Sequence, residues 1–64
     1  MAISAMGRRI RELRLSRGLS QEQLGNLAGI AVSQIGRIER GEINTTLSTL
    51  VTLAEALDVT VQMV

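Results

Sequence analysis

QEQLGNLAGIAVSQIGRIER, residues 21–40, is the stretch that decides the fold of this chain. It predicts two short helices joined by a tight turn at Gly29, because glycine adopts a positive φ without a steric penalty. Leu24, Leu27 and Ala28 lie three and four residues apart and should share one apolar face of the first helix. Gly25, one turn before the corner, has no Cβ and should therefore allow another backbone segment to approach closely.

The second helix of this stretch is predicted to have one apolar and one polar side. Ile35 and Ile38 point to the apolar side. At about 100° per residue, the opposite side carries small residues and arginines, namely Ser33, Gly36, Arg37 and Arg40. A short helix with this outer surface has the size and the charge to enter the major groove of DNA.

The sequence around this stretch resembles the helix-turn-helix domain of the phage lambda and 434 repressor/Cro family, which includes the XRE-like bacterial regulators. The resemblance rests on the segments Leu19-Ser-Gln-Glu-Gln-Leu-Gly, Ala28-Gly29, Ile35-Gly-Arg-Ile-Glu-Arg-Gly41, Asn44-Thr45-Thr46-Leu47 and Leu53-Ala-Glu-Ala-Leu-Asp-Val59. It implies an all-α, compact domain of four to five helices. It is strong for the fold and less specific for function, because similar domains occur in antitoxins and protein-bridging factors.

The helices are predicted to form a single helix-turn-helix domain over residues 1–64. Ser20 should cap the second helix in a capping box with Gln23, and Thr46 should cap the fourth. Ala31 occupies the third cap, where the family usually has Ser or Thr. The expected ranges are about 5–16, 21–28, 32–40 and 47–57, with a truncated fifth helix at 61–64. The alternating TVQMV at residues 60–64 fits a short strand as well.

Composition excludes several classes of function. The chain has 64 residues, 45% of them hydrophobic, which is typical of one small globular domain. It contains neither Cys nor His and no cluster of carboxylates, so no nucleophile–base pair, cofactor or metal site is expected and an enzyme is not indicated. Without a long apolar run or a signal-peptide pattern, the expected location is the cytoplasm.

The distribution of charge is more informative than the net charge of +1. All seven basic residues are arginines; five lie between residues 8 and 17, and Arg37 and Arg40 lie on the predicted recognition helix. Arg9 and Arg11 are secondary candidates for contacts with DNA phosphate. An ordinary solvated helix face is the alternative interpretation of the cluster at residues 8–17.

The resemblance assigns base-reading positions to Val32, Ser33 and Arg37. The planar guanidinium of Arg37 can bind guanine O6 and N7 together, whereas Val32 offers either apolar contact with a thymine methyl or partial burial at the helix start. The expected phosphate contacts are Gln21, Arg40, Asn44, Thr45 and Thr46. For Asn44 and Thr45, local capping and turn chemistry is an equal alternative.

Two further expectations concern pairing. The family carries an arginine on its first helix that pairs with a glutamate late in the recognition helix, and Arg14 and Glu39 match these positions. The family also dimerises, which would place two recognition helices about 34 Å apart on palindromic DNA. The expected surface for a weak homodimer is residues 58–63, from Asp58 to Met63.

The leading hypothesis is a sequence-specific, double-stranded-DNA-binding transcriptional regulator with a repressor-like domain, while repression and activation are both left open. The alternatives are a protein-interaction module of the same fold, such as an antitoxin or bridging factor, and a trimmed or redesigned fragment that binds DNA weakly. Leu15, which lies opposite the apolar stripe of the first helix, favours the interaction module. DNA binding should weaken steeply with salt because counterions are released on binding.

Overall fold

Four α-helices follow one another in the computed structural model, which describes residues 3–43 and 46–59. They are α1 (Ile3–Ser16), α2 (Gln21–Ala28), α3 (Val32–Glu39) and α4 (Leu47–Ala56). No strand occurs within the described ranges, so the predicted all-α class is confirmed. The helix and the strand considered for the last residues both fall outside them, as does most of the expected dimer surface.

The helix bounds differ slightly from the predicted ones. α1 begins at Ile3 rather than at about residue 5. α3 and α4 each end one residue early, because Arg40 and Leu57 are their C-caps. Such shifts are within the usual variation of helix ends.

Local chemistry explains where α2 begins and ends. The Ser20 hydroxyl accepts a hydrogen bond from the Gln23 amide at 3.0 Å, and the Gln23 side chain accepts one from the Ser20 amide at 2.8 Å. This is the predicted capping box, which satisfies two donors at the helix start. Gly29 has φ 70° and ψ 32°, the left-handed conformation that ends the helix and turns the chain toward α3.

The core is built from isoleucine and leucine side chains, since the chain has no aromatic residue. Every helix contributes to it. Its buried members are Ile10, Leu13, Leu24, Ile35, Ile38, Leu53, Ala54 and Leu57. Each fully buried Leu or Ile contributes about 1.5–3 kcal/mol relative to an exposed one. α3 packs against both α1 and α2, while α4 packs against α2, so α3 keeps one side free.

Two glycines allow the close packing of these helices. A Cβ on Gly7 would lie 2.2 Å from the carbonyl oxygen of Ile38, so α1 and α3 touch through backbone at this point. A Cβ on Gly25 would lie 2.5 Å from the carbonyl oxygen of Ile30, which confirms the close approach predicted there. The contact at Gly7 was not predicted from the sequence.

One apolar position was assigned wrongly. Leu24 is fully buried as expected, but Leu27 is 62% exposed. The buried side of α2 is centred between Leu24 and Gly25, because α3 and α4 pack there. Leu27 lies on the far side of Leu24 from that centre and therefore faces outward.

Candidate nucleic-acid interface

α3 separates its side chains into an inner and an outer face. Ile35, Ile38 and Glu39 are buried against the rest of the protein. The outer face is defined by the exposed residues of α3 and its C-cap, which are Val32, Ser33, Gln34, Arg37 and Arg40. The helix therefore presents a polar surface with two cations that the protein's own interior does not cover.

A buried ion pair holds the inner face in place. Arg14 on α1 donates through Nε to Glu39 Oε2 at 2.7 Å and through Nη2 to Glu39 Oε1 at 3.0 Å. The two side chains are only 8% and 2% exposed. Arg14 also donates through Nη1 to the carbonyl oxygen of Leu19 at 2.8 Å. This two-point geometry fixes direction as well as distance, so it sets the angle between α1 and α3.

Gln21 at the start of α2 joins the same cluster. Its Nε2 donates to Glu39 Oε1 at 3.1 Å, and the residue is partly buried. The Glu39 carboxylate therefore accepts hydrogen bonds from α1 and from α2 at once. Every buried side-chain nitrogen and oxygen of the described residues has a hydrogen-bond partner. A buried cluster of polar side chains, all of them hydrogen-bonded, therefore lies beneath the outer face of α3.

Gly36 was assigned to the outer face from the sequence, and the structure contradicts this. Gly36 is buried because two side chains cross over it. Arg40 Nη1 lies 3.0 Å, and the Gln21 side-chain amide 3.7 Å, from the position that a Cβ on Gly36 would take. Helix periodicity placed the residue correctly around α3, but it carries no information about long side chains that fold over it.

A second set of charges lies at the end of α3, on the exposed side. Arg40 Nε donates to Glu42 Oε2 at 2.5 Å, and Arg37 Nε lies 3.9 Å from Glu42 Oε1. All three side chains are about half exposed. The hydrogen bond from Arg40 lowers the pKa of Glu42 and raises that of Arg40. One carboxylate therefore partly neutralises both cations of the outer face.

The family model described as Helix-turn-helix, HTH_3, matches residues 10–64. The chain belongs to this helix-turn-helix family. The α2–Gly29–α3 unit is the structural element that gives the family its description, and here it carries the outer face described above.

Several relatives of this helix-turn-helix chain are regulators by name. It is 48% identical over 52 residues to control protein C.SmaI of Serratia marcescens, covering 81% of this chain but 62% of that one. The crystal structure of the restriction-modification controller protein C.AhdI from Aeromonas hydrophila superposes with TM-score 0.93 at 43% identity. That match covers 95% of this chain and 92% of C.AhdI.

A third match is a protein–DNA complex. The biofilm master regulator SinR, solved in complex with DNA, superposes with TM-score 0.85 at 34% identity. The alignment covers 89% of this helix-turn-helix chain and 92% of SinR. The arrangement of the four helices is thus shared with a family member whose crystal structure contains DNA.

The base-reading candidates all lie on the outer face. Val32 is 46% exposed, which is compatible with contact with a base and with partial burial at the helix start, so both interpretations stay open. Ser33 and Arg37 are exposed as well. Their roles toward bases stay predictions.

The phosphate candidates differ in whether their side chains are already engaged by other groups of the protein. Arg40 is exposed but paired with Glu42, and the side chain of Gln21 is engaged by Glu39. The Thr46 hydroxyl accepts a hydrogen bond from the Thr49 amide at 3.1 Å and so caps α4. Asn44 and Thr45 lie outside the described residues, so both of their interpretations stay open.

Sequence reasoning missed two residues of this helix-turn-helix surface. Gln34 is exposed one turn before Arg37, and its amide can donate to and accept from an adenine edge. Its spacing of three residues from Arg37 was the available signal. Glu42 was missed because its position in a loop hides its contact with α3.

Two other features are absent from the part of the chain that the structure describes. None of their acidic groups cluster in a way that could hold a metal ion. None of their helices combines the length and apolar character needed to cross a bilayer.

Proposed function

We propose that this protein is a sequence-specific, double-stranded-DNA-binding transcription regulator whose α3 enters the major groove. The observation that carries the proposal is the exposed outer face of α3, which lies over a buried cluster of hydrogen-bonded polar side chains. C.SmaI and C.AhdI are named as control proteins, and SinR was solved with DNA, which supports the same activity for this chain. The proposed activity is DNA binding rather than catalysis. The proposed location is the cytoplasm, where bacterial DNA lies.

In this proposal the base readers are Val32, Ser33 and Arg37. Arg37 supplies most of the discrimination, because its guanidinium can bind guanine O6 and N7 together at about 1–3 kcal/mol. Ser33 can donate or accept, so it discriminates less. Val32 adds apolar contact with a thymine methyl. The ion pair beneath them holds α3 at one angle, so that these side chains reach the bases in a fixed register.

Contacts with phosphate set the orientation of the domain and carry no sequence information. The proposed phosphate ligands are Gln21, Arg40, Asn44, Thr45 and Thr46. Gln21 would act at the start of α2, where backbone N–H groups and the helix dipole attract an anion. Arg40 must first release Glu42 before it can bind a phosphate.

A single domain of residues 1–64 would cover only a few base pairs. We therefore propose that two copies bind a palindromic site, with their recognition helices about 34 Å apart. The contact between them would be weak and would involve residues 58–63. Such a dimer would form mainly on DNA.

Selection of binding sites from random duplexes tests the proposal. The wild-type chain should enrich a palindromic sequence, and its affinity should fall steeply as salt rises. Arg37→Ala should relax the preference at one base position in each half-site, by about 1–3 kcal/mol. Arg8→Ala on α1 is a control that removes the same charge. It should leave every base preference unchanged, and a wild-type chain that enriches no sequence would refute the proposal.

An interaction module is the second candidate, and exposed apolar side chains favour it. Leu15, Leu27 and Leu47 are 54%, 62% and 71% exposed. Exposed leucines of this size are common at protein-binding surfaces when they adjoin one another. Binding that is insensitive to salt and requires these leucines rather than Arg37 would favour this function over DNA binding.

A further inference from the structure

The loop that ends α3 holds Glu42 against the outer face. Gly41 has φ 73°, and its amide donates to the carbonyl oxygen of Ile38 at 3.0 Å. The amide of Glu42 donates to the carbonyl oxygen of Arg37 at 2.9 Å. These two bonds are the helix-ending pattern that requires a left-handed residue, which glycine supplies. The backbone of Glu42 therefore cannot leave α3 without undoing the helix end.

The Glu42 carboxylate contacts Arg40 more closely than Arg37. It binds Arg40 through Nε at 2.5 Å and reaches its Nη2 at 3.5 Å, so it occupies one edge of that guanidinium. Its approach to Arg37 is a looser one, 3.9 Å from Nε. This contact is on the inner nitrogen of Arg37, whereas the two terminal nitrogens can form a fork for guanine. Glu42 thus takes up much of the phosphate-binding capacity of Arg40 and leaves the base-reading capacity of Arg37.

We propose that Glu42 is an affinity-setting residue that competes with DNA phosphate for Arg40 and so weakens binding to DNA of any sequence. This inference rests on the proposed function. Non-specific binding comes essentially from phosphate contacts, and specific binding uses them as well, so a tethered carboxylate at the interface opposes both. Glu42 does not block the contacts of Arg37 with bases, so the base preferences should not depend on it. The exposed pair is weak enough to exchange when a phosphate approaches Arg40.

The test compares Glu42→Gln with the wild-type chain on a selected duplex and on a scrambled duplex of equal length. Glu42→Gln should tighten binding to both duplexes by a similar factor of about 10, because Arg40 binds phosphate in either complex, with a salt slope steeper by about one. Glu55→Gln is the control for the loss of one negative charge, since Glu55 is an exposed residue of α4 outside the proposed DNA contacts. It should leave both affinities unchanged.

Arg40→Ala in both backgrounds separates competition from a general effect of charge. If Glu42 occupies Arg40, the substitution should weaken binding to scrambled DNA about 2-fold in the wild-type chain and about 10-fold in Glu42→Gln. Equal losses in the two backgrounds would overturn the inference. So would a Glu42→Gln variant that binds scrambled DNA no more tightly than the wild-type chain. A wild-type chain that does not discriminate between the duplexes would instead refute the proposed function, and the inference with it.

Discussion

α3 has an arginine–glutamate pair on each of its two faces. The two pairs have the same side-chain chemistry but differ in burial and in how tightly they are held. On the inner face, Arg14 and Glu39 are 8% and 2% exposed and meet through two hydrogen bonds. On the outer face, Arg40 and Glu42 are 58% and 49% exposed. Burial makes the inner pair hard to break, because removing one partner leaves an uncompensated charge out of water. Solvent makes the outer pair exchangeable.

The comparison shows that position, rather than residue type, decides whether such a pair is part of the scaffold or of the binding surface. The inner carboxylate also accepts from Gln21, so it is saturated by groups of the protein itself. The outer carboxylate is shared by two arginines that face solvent. Charge on the inner face therefore fixes the geometry of α3, while charge on the outer face stays available for the DNA recognition proposed above.

The largest expected difference is in stability. Glu39→Gln should lower the free energy of unfolding by about 3–5 kcal/mol, because Arg14 would be left buried without a countercharge. A chain of this length has only about 3–10 kcal/mol in total, so much of the variant should be unfolded. Glu42→Gln is the matched variant and should shift the midpoint far less, because the outer pair is exposed. Thermal melts followed by circular dichroism measure both.

Two outcomes would alter this comparison. Equal midpoints for the two variants would mean that the inner pair is not buried in solution. Replacing both Arg14 and Glu39 by Met should recover most of the loss, since a well-packed apolar pair avoids the cost of desolvation. If the free energy of unfolding does not recover, the two residues stabilise the fold through more than their mutual charge, for example through their hydrogen bonds to Leu19 and Gln21.

The next difference concerns glycines on the two sides of α3. Gly7→Ala should destabilise the protein by about 1–3 kcal/mol, because its Cβ would lie 2.2 Å from a backbone oxygen of α3 that cannot move freely. Gly36→Ala would meet only the mobile end of Arg40, at 3.0 Å. Its helix propensity gains up to about 1 kcal/mol, so stability should hold or rise. Urea unfolding of the two variants checks this, and equal losses would show that both faces are packed alike.

The smallest expected effect is the titration of Glu42. Its pKa lies below the ordinary value of 4.5, chiefly because of the hydrogen bond from Arg40. A lowered pKa in the folded state means that the pair contributes above the ordinary pKa, and that the contribution is lost as pH falls through the folded value. Carboxyl NMR should show the pKa of Glu42 rising in Arg40→Ala. No change in that variant would mean that Arg40 and Glu42 are not paired in solution.

The elements set by local chemistry were predictable from the sequence. Gly29 ends α2 because only glycine adopts its φ without strain, and Ser20 with Gln23 begins α2 through a local capping box. Ile35 and Ile38 followed from helix periodicity. The pair of Arg14 and Glu39 was expected only through the family resemblance, and the structure contains it. Spacing within one helix would not have joined two residues 25 positions apart.

What could not be predicted depends on neighbours distant in sequence. Leu27 had the spacing of a core residue, but the direction from which α3 and α4 approach α2 left it outside. Gly36 is covered by side chains from two other positions, and the importance of Gly7 requires knowing where α3 crosses α1. Glu42 is close to two cations because of the turn at Gly41. Tertiary packing, rather than local preference, decides each of these.

The Glu39 carboxylate accepts from α1 and α2, and Arg14 extends the same cluster to the carbonyl oxygen of Leu19. α3 therefore cannot detach as a separate unit without uncovering a buried charge. Local opening of α3 should cost nearly as much as unfolding the whole domain, so its core amides should exchange with deuterium only through global unfolding. The helix that we propose contacts DNA would then unfold only together with the rest of the domain.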